Sequence, residues 1–237
     1  GDGRWYEYLY TNKVPIGKLR GYRNSAGYPT PGLNVMGNHD NNGGEQHSDN
    51  VDFEAARPFM QVFGPRYYSF DAGGIHYMVL DNIVYKNEPS DKPLTFGIKG
   101  KRNFIEEYTP DVLNWMRKDL ADVPHDKPVI IAMHAPLFKR YDSSGKFIKN
   151  SKTREENMSE FMEILAPFEK VHTVTGHSHS QGITRLKGDK ERVDHNINAT
   201  SGSTWWSTGF GYKNICMDGN PAGFEVFTVD GDDFKWK

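Results

Sequence analysis

The sequence predicts an α/β fold, and three observations carry the prediction. Apolar runs at 33–36, 129–133 and 171–175 are short, continuous and cut off by glycine, histidine or other polar residues, as buried strands are. Segments with apolar residues at helical spacing stand at 53–63, 112–120 and 155–165. Two β-rich runs, 67–70 and 75–80, flank Asp71-Ala-Gly-Gly74 as the arms of a hairpin flank its turn.

Residues 1–31 open with an aromatic, helical stretch (Trp5, Tyr6, Tyr8, Leu9, Tyr10) and pass through a Gly/Pro loop into the first strand. The helix at 53–63 gathers Phe59, Met60 and Phe63 on one face, with Pro58 starting or kinking it and Gly64-Pro65 ending it. A polar stretch, 86–110, follows the hairpin. Thr109-Pro110-Asp111 then supplies a hydroxyl cap, a residue that needs no N–H, and a carboxylate for the positive helix end, ahead of Val112, Leu113, Met116 and Leu120. A second polar loop, 139–152, leads to the helix with Phe161, Ile164 and Leu165 on its apolar side. From 183 onward glycine-punctuated runs such as 224–229 and 233–236 read as strands. The chain divides into a core at 1–182 and a mostly β part of the same domain at 183–237, with room for a further domain beyond.

Composition narrows the function. At 25% charged and 36% hydrophobic, the 237 residues are those of a globular protein able to bury a sizeable core. The net charge of -2 and the lack of a basic block interleaved with aromatics disfavour a nucleic-acid partner. No apolar run is long enough to span a bilayer. Compartment stays unknown; a signal peptide ahead of residue 1 would make the protein periplasmic or secreted. The single cysteine excludes an intrachain disulfide and a thiolate-rich zinc site.

The chemistry lies where strands stop. Three apolar runs end alike, in Asn38-His39-Asp40, in His134, and in His177-Ser-His179. Carboxyl ends of parallel strands in an open sheet share one rim, so these endings are expected to converge. Imidazoles with an amide oxygen and a carboxylate suit Mn, Fe or Zn better than Mg or Ca. Histidines at i and i+2 face opposite ways in an extended chain, but Gly176 lets the backbone turn. His47, His76, His125 and His172 are expected to be capped or solvated side chains without a role.

In Gly37-Asn-His-Asp40, His134 and Gly176-His-Ser-His179 the chain resembles the calcineurin-like metallophosphoesterase superfamily, its bacterial phosphohydrolases included. The stretch 63–82 and the tail segments SGSTWW and DGNPAGFEVFTVDG extend the likeness. The resemblance implies a two-sheet α/β sandwich flanked by helices. It implies two divalent or trivalent transition-metal ions whose bridging hydroxide attacks a phosphomonoester or phosphodiester in line. Asn38, His134 and His177 would bind one ion and His179 the other. His39, oriented by Asp40, would act on the phosphoryl or leaving-group oxygen, and Trp205 and Trp206 would stack on substrate at the rim.

One family motif is missing: no histidine here has an aspartate two positions before it. Gly1-Asp2 is either the family's Gly-Asp, whose carboxylate bridges the ions, or an ordinary loop aspartate. The chain therefore reads as a fragment lacking amino-terminal strands. It is expected to hold at most one weak ion, to be impaired, and to offer an open sheet edge to another chain. The alternative is a non-catalytic scaffold of the same fold that binds a protein partner.

Overall fold

The computed structural model describes residues 33–42, 45, 48–86, 104–142, 144–149, 152–198, 220 and 224–237. Helix α1 (Val51–Phe63) stops at Gly64, whose φ of 103° suits glycine and whose N–H reaches the Met60 carbonyl at 3.1 Å. Phe59 and Ala56 of this helix bury against Met36. Leu33, read from sequence as part of a buried strand, is instead 55% exposed, and the 33–37 backbone carries no strand ladder among the described residues. Its polar neighbours at 38–40 do form structure, one 3-10 turn.

The hairpin is β1 (Tyr68–Ala72) and β2 (Ile75–Val79), turned by Gly73 and Gly74. Two strands of two residues, β3 (Val84–Tyr85) and β4 (Phe104–Ile105), pair antiparallel and were too short to read from sequence. Helix α2 (Pro110–Asp119) starts as its sequence dictates, with the Thr109 hydroxyl accepting from Val112 N–H at 3.3 Å. Strand β5 (Val129–Ala132), helix α3 (Glu155–Leu165), β6 (Lys170–Thr175), β7 (Gly182–Arg185) and β8 (Glu191–Asn196) follow, then the hairpin β9 (Phe227–Asp230) and β10 (Asp233–Trp236).

Six strands form one sheet in the order β1-β2-β5-β6-β8-β7, parallel from β2 through β8 and antiparallel at both edges. Alternation along the central strands covers both faces. Met78, Val129, Ile131 and Val171 pack with Met116, Phe161 and Leu165 of α2 and α3. Ile75 and Ile130 point the other way, onto Phe234, Phe227 and Trp236 of the β9–β10 hairpin. Burial on both faces explains the uninterrupted Val-Ile-Ile of β5.

Two histidines set aside as capped or solvated are buried. His76 Nδ1 lies 3.0 Å from Asp71 and its Nε2 2.9 Å from Asp119. His172 sits inside the sheet, Nε2 2.8 Å from Glu191 and Nδ1 2.8 Å from His195 Nε2, while His195 Nδ1 lies 2.9 Å from Glu225. Carboxylates from β1 and α2 satisfy His76, and carboxylates from β8 and the tail satisfy the His172–His195 pair, where water cannot. His47 lies outside the described residues. Among those described, no helix is long and apolar enough to cross a membrane.

Candidate metal centre

His134 follows β5 after Met133, and His177 follows β6 after Gly176, so adjacent parallel strands deliver both to one rim. The ladder runs on past the strand ends: Met133 N–H donates to Val174 O at 3.0 Å, and Gly176 N–H to His134 O at 3.0 Å. Beyond it the backbone enters the left-handed region at His177 (φ 63°) and His179 (φ 54°). Non-glycine residues rarely adopt that conformation. Asn196 at the end of β8 pins this turn, its amide donating to Ser178 Oγ at 2.6 Å and to the Ser180 carbonyl.

Asn38 reaches the same point from the 38–40 turn, where Gly37 N–H donates to Asp40 Oδ2 at 2.8 Å. Asp40 N–H returns a bond to the Gly37 carbonyl at 3.0 Å, so the two residues close the turn between them. Gly37 is required for close approach: a Cβ there would lie 2.9 Å from Nδ1 and Cε1 of His134. The three endings meet at His134 Nε2, which is 2.8 Å from Asn38 Oδ1 and 3.0 Å from His177 Nδ1.

Two donors held about 2.0–2.1 Å from one ion at a right angle sit about 3 Å apart. An amide oxygen and two imidazole nitrogens at these separations fit a transition-metal ion. Among the described residues no three His, Cys, Asp or Glu side chains gather into one ion-binding group, so the focus reaches three donors through the Asn38 amide. Desolvation pushes the His134 imidazole well below its ordinary range, helped by the charge of His177, His39 and His179. That leaves His134 neutral with a lone pair to give. His39 and Asp40 are buried beside Asn38; Trp205, Trp206 and Gly1-Asp2 lie outside the described residues.

Three supporting residues were missed from sequence. Asn82, fully buried, accepts from His134 N–H (3.2 Å) and Ala135 N–H (3.0 Å) and donates to Ala135 O (2.8 Å), clamping the backbone under His134. Glu106 places Oε1 3.4 Å from His177 Nε2 and accepts from Arg140 through Oε2. Burial alone would raise the Glu106 carboxyl, but His177 and Arg140 together bring it down to about 2. Its neighbour Glu107 faces the other way, onto Arg154. Two carboxylates between Ile105 and Tyr108 were the available signal: acids inside an apolar run are expected to have buried partners.

A mainly parallel sheet whose β5 and β6 endings bring two imidazoles to one point, beside an amide oxygen from the 38–40 turn, makes an α/β protein with a candidate metal centre at the sheet's rim. The family model for calcineurin-like phosphoesterases matches residues 2–181, and the chain belongs to that family. Among solved structures it is similar to a dimetal phosphatase from Danio rerio, at 16% identity and a TM-score of 0.40, over 65% of this chain and 60% of that one. It is also similar to a purple acid phosphatase from yellow lupin (Lupinus luteus) seeds, at 15% identity and a TM-score of 0.40, over 68% of this chain and 30% of that one. The chain thus spans less than two thirds of either. No curated protein sequence matches it.

Proposed function

We propose that this chain carries the metal-binding core of a phosphoester hydrolase acting on phosphomonoesters or phosphodiesters. The convergence of Asn38 Oδ1, His134 Nε2 and His177 Nδ1 carries the reading. Mn, Fe or Zn bound in such a centre would supply Lewis-acid polarisation of a phosphoryl group and activation of a water near neutral pH. Asn38, His134 and His177 hold one ion, and His179 serves the other. His39 gives a proton or hydrogen bond to the phosphoryl or leaving-group oxygen, a task suited to an imidazole. Asp40 closes the turn that presents His39. Asn82 fixes the backbone of His134.

Because Asp-x-His is absent from these 237 residues, we expect at most one ion, weakly held, and impaired turnover. The test is Mn or Zn uptake by calorimetry, alongside hydrolysis of p-nitrophenyl and bis-p-nitrophenyl phosphate. Ion binding that His177→Ala abolishes, with measurable turnover, supports the reading. Ion binding with no turnover at any ion concentration favours the scaffold, and no ion uptake at all overturns the centre.

A further inference from the structure

The ring of His177 has two nitrogens of nearly equal basicity, and only one of them, Nδ1, faces the Asn38–His134 focus. Its backbone does not settle which way the ring stands, because His177 sits in a left-handed turn beyond the ladder. Some neighbour must fix both orientation and tautomer. We propose that Glu106, clamped by Arg140, is the positioning residue that keeps the proton of His177 on Nε2 and turns the Nδ1 lone pair to the metal focus. This rests on the metal-centre reading above.

Four observations support it. Glu106 is 4% exposed, and its Oε1 lies 3.4 Å from His177 Nε2, on the side of the ring away from the focus. A carboxylate there accepts only, so it favours a proton on the facing nitrogen. Arg140 donates to the other oxygen, which satisfies the buried charge and prevents the carboxylate from swinging away. The Glu106 backbone is tied down as well, its N–H donating to Lys152 O at 2.7 Å. Phe104, at the other end of this extended segment, meets the His177 ring edge-on at 5.8 Å and limits its rotation. The 104–106 segment therefore holds the ring by shape at one end and by charge at the other.

The test compares wild type, Glu106→Gln and Arg140→Gln in the full chain, by two measurements. Long-range imidazole nitrogen–proton spectra of the ion-free protein report the His177 tautomer, and Co²⁺ titration reports affinity. The wild type is expected to show Nε2–H at His177 and Glu106→Gln a mixture, with Co²⁺ affinity lower by about 10–100-fold, the usual cost of losing a partner behind a metal-binding histidine. Arg140→Gln, which frees Glu106 without removing it, is expected to move both readouts the same way by less, and it serves if Glu106→Gln does not fold. A His177 tautomer that does not change in either variant overturns the proposal. If wild type takes up no Co²⁺, the metal-centre reading falls, and the tautomer spectra still decide whether Glu106 positions His177.

Discussion

Replacing Gly37 by alanine isolates the geometry of the focus from the stability of the fold. Gly37 has φ -115° and ψ 173°, a conformation open to alanine, so backbone strain plays no part. The added Cβ would stand 2.9 Å from Nδ1 and Cε1 of His134 and 3.2 Å from its Cγ. Carbon contacts are comfortable from about 3.5 Å, so ring and methyl must separate by roughly half an ångström or more. The ring cannot yield freely, since its far nitrogen is 2.8 Å from Asn38 and 3.0 Å from His177. Overpacking of this kind costs about 1–3 kcal/mol. A centre whose ligand is pushed aside by this much should lose about tenfold in ion affinity, at the lower end of the range for disturbed ligand positioning. Urea unfolding and Co²⁺ titration of wild type and Gly37→Ala measure the two effects separately. An alanine variant that unfolds at a lower urea midpoint yet binds Co²⁺ with wild-type affinity refutes the claim that Gly37 serves the focus.

Other expectations follow from the same contacts. Asn82→Ala strands the His134 and Ala135 amides and the Ala135 carbonyl in the interior and should destabilise by about 3 kcal/mol, read as a lowered urea midpoint; a loss well under 1 kcal/mol contradicts the clamp. Burial holds His172 down to about 4, below its ordinary 6.5, against an opposing pull from Glu191. The unfolded chain therefore takes up that proton first as pH falls: the stability is intact above about 6.5 and drains away toward 4, by at most about 3 kcal/mol. Measured across that window, wild type should lose stability relative to His172→Gln, and a constant difference between the two proteins rejects the assignment. Added Mn or Zn at 100 times its dissociation constant should stabilise the fold by about 2.7 kcal/mol, and the gain should vanish in His134→Ala; a gain that survives that change places the ion elsewhere.

Local chemistry was legible in the sequence, and the partners that hold each side chain in place were not. Thr109-Pro110-Asp111 announced α2 because a cap, a proline and an acid act within one turn, and the structure starts the helix there. Val129 to Ala132 announced a strand buried on both faces. By contrast, Leu33, Val35 and Met36 have a strand's composition, yet only Met36 is fully buried, against α1, and no ladder is described. A ladder depends on a neighbour that composition cannot name. His172 and His76 looked like surface histidines because their carboxylate partners are 5 to 43 residues away, at Asp71, Glu191 and Asp119. Glu106 and Arg140 stand 34 residues apart in stretches that read as plain polar loop, and only the sheet's topology brings them to the back of His177. The ligating types were visible at their strand ends; what holds each ring at its angle was not.

The hydrogen bonds that run past the ends of β5 and β6 give this centre an unusual relation to unfolding. His134 is not on a flap: its carbonyl is taken by the Gly176 amide, and the amide before it by Val174, in register with the innermost strands. Backbone in such a position opens only with the sheet itself. The pair of imidazoles therefore has no separate melting of its own. Warming or mild denaturant should leave the two imidazoles side by side until the sheet itself lets go.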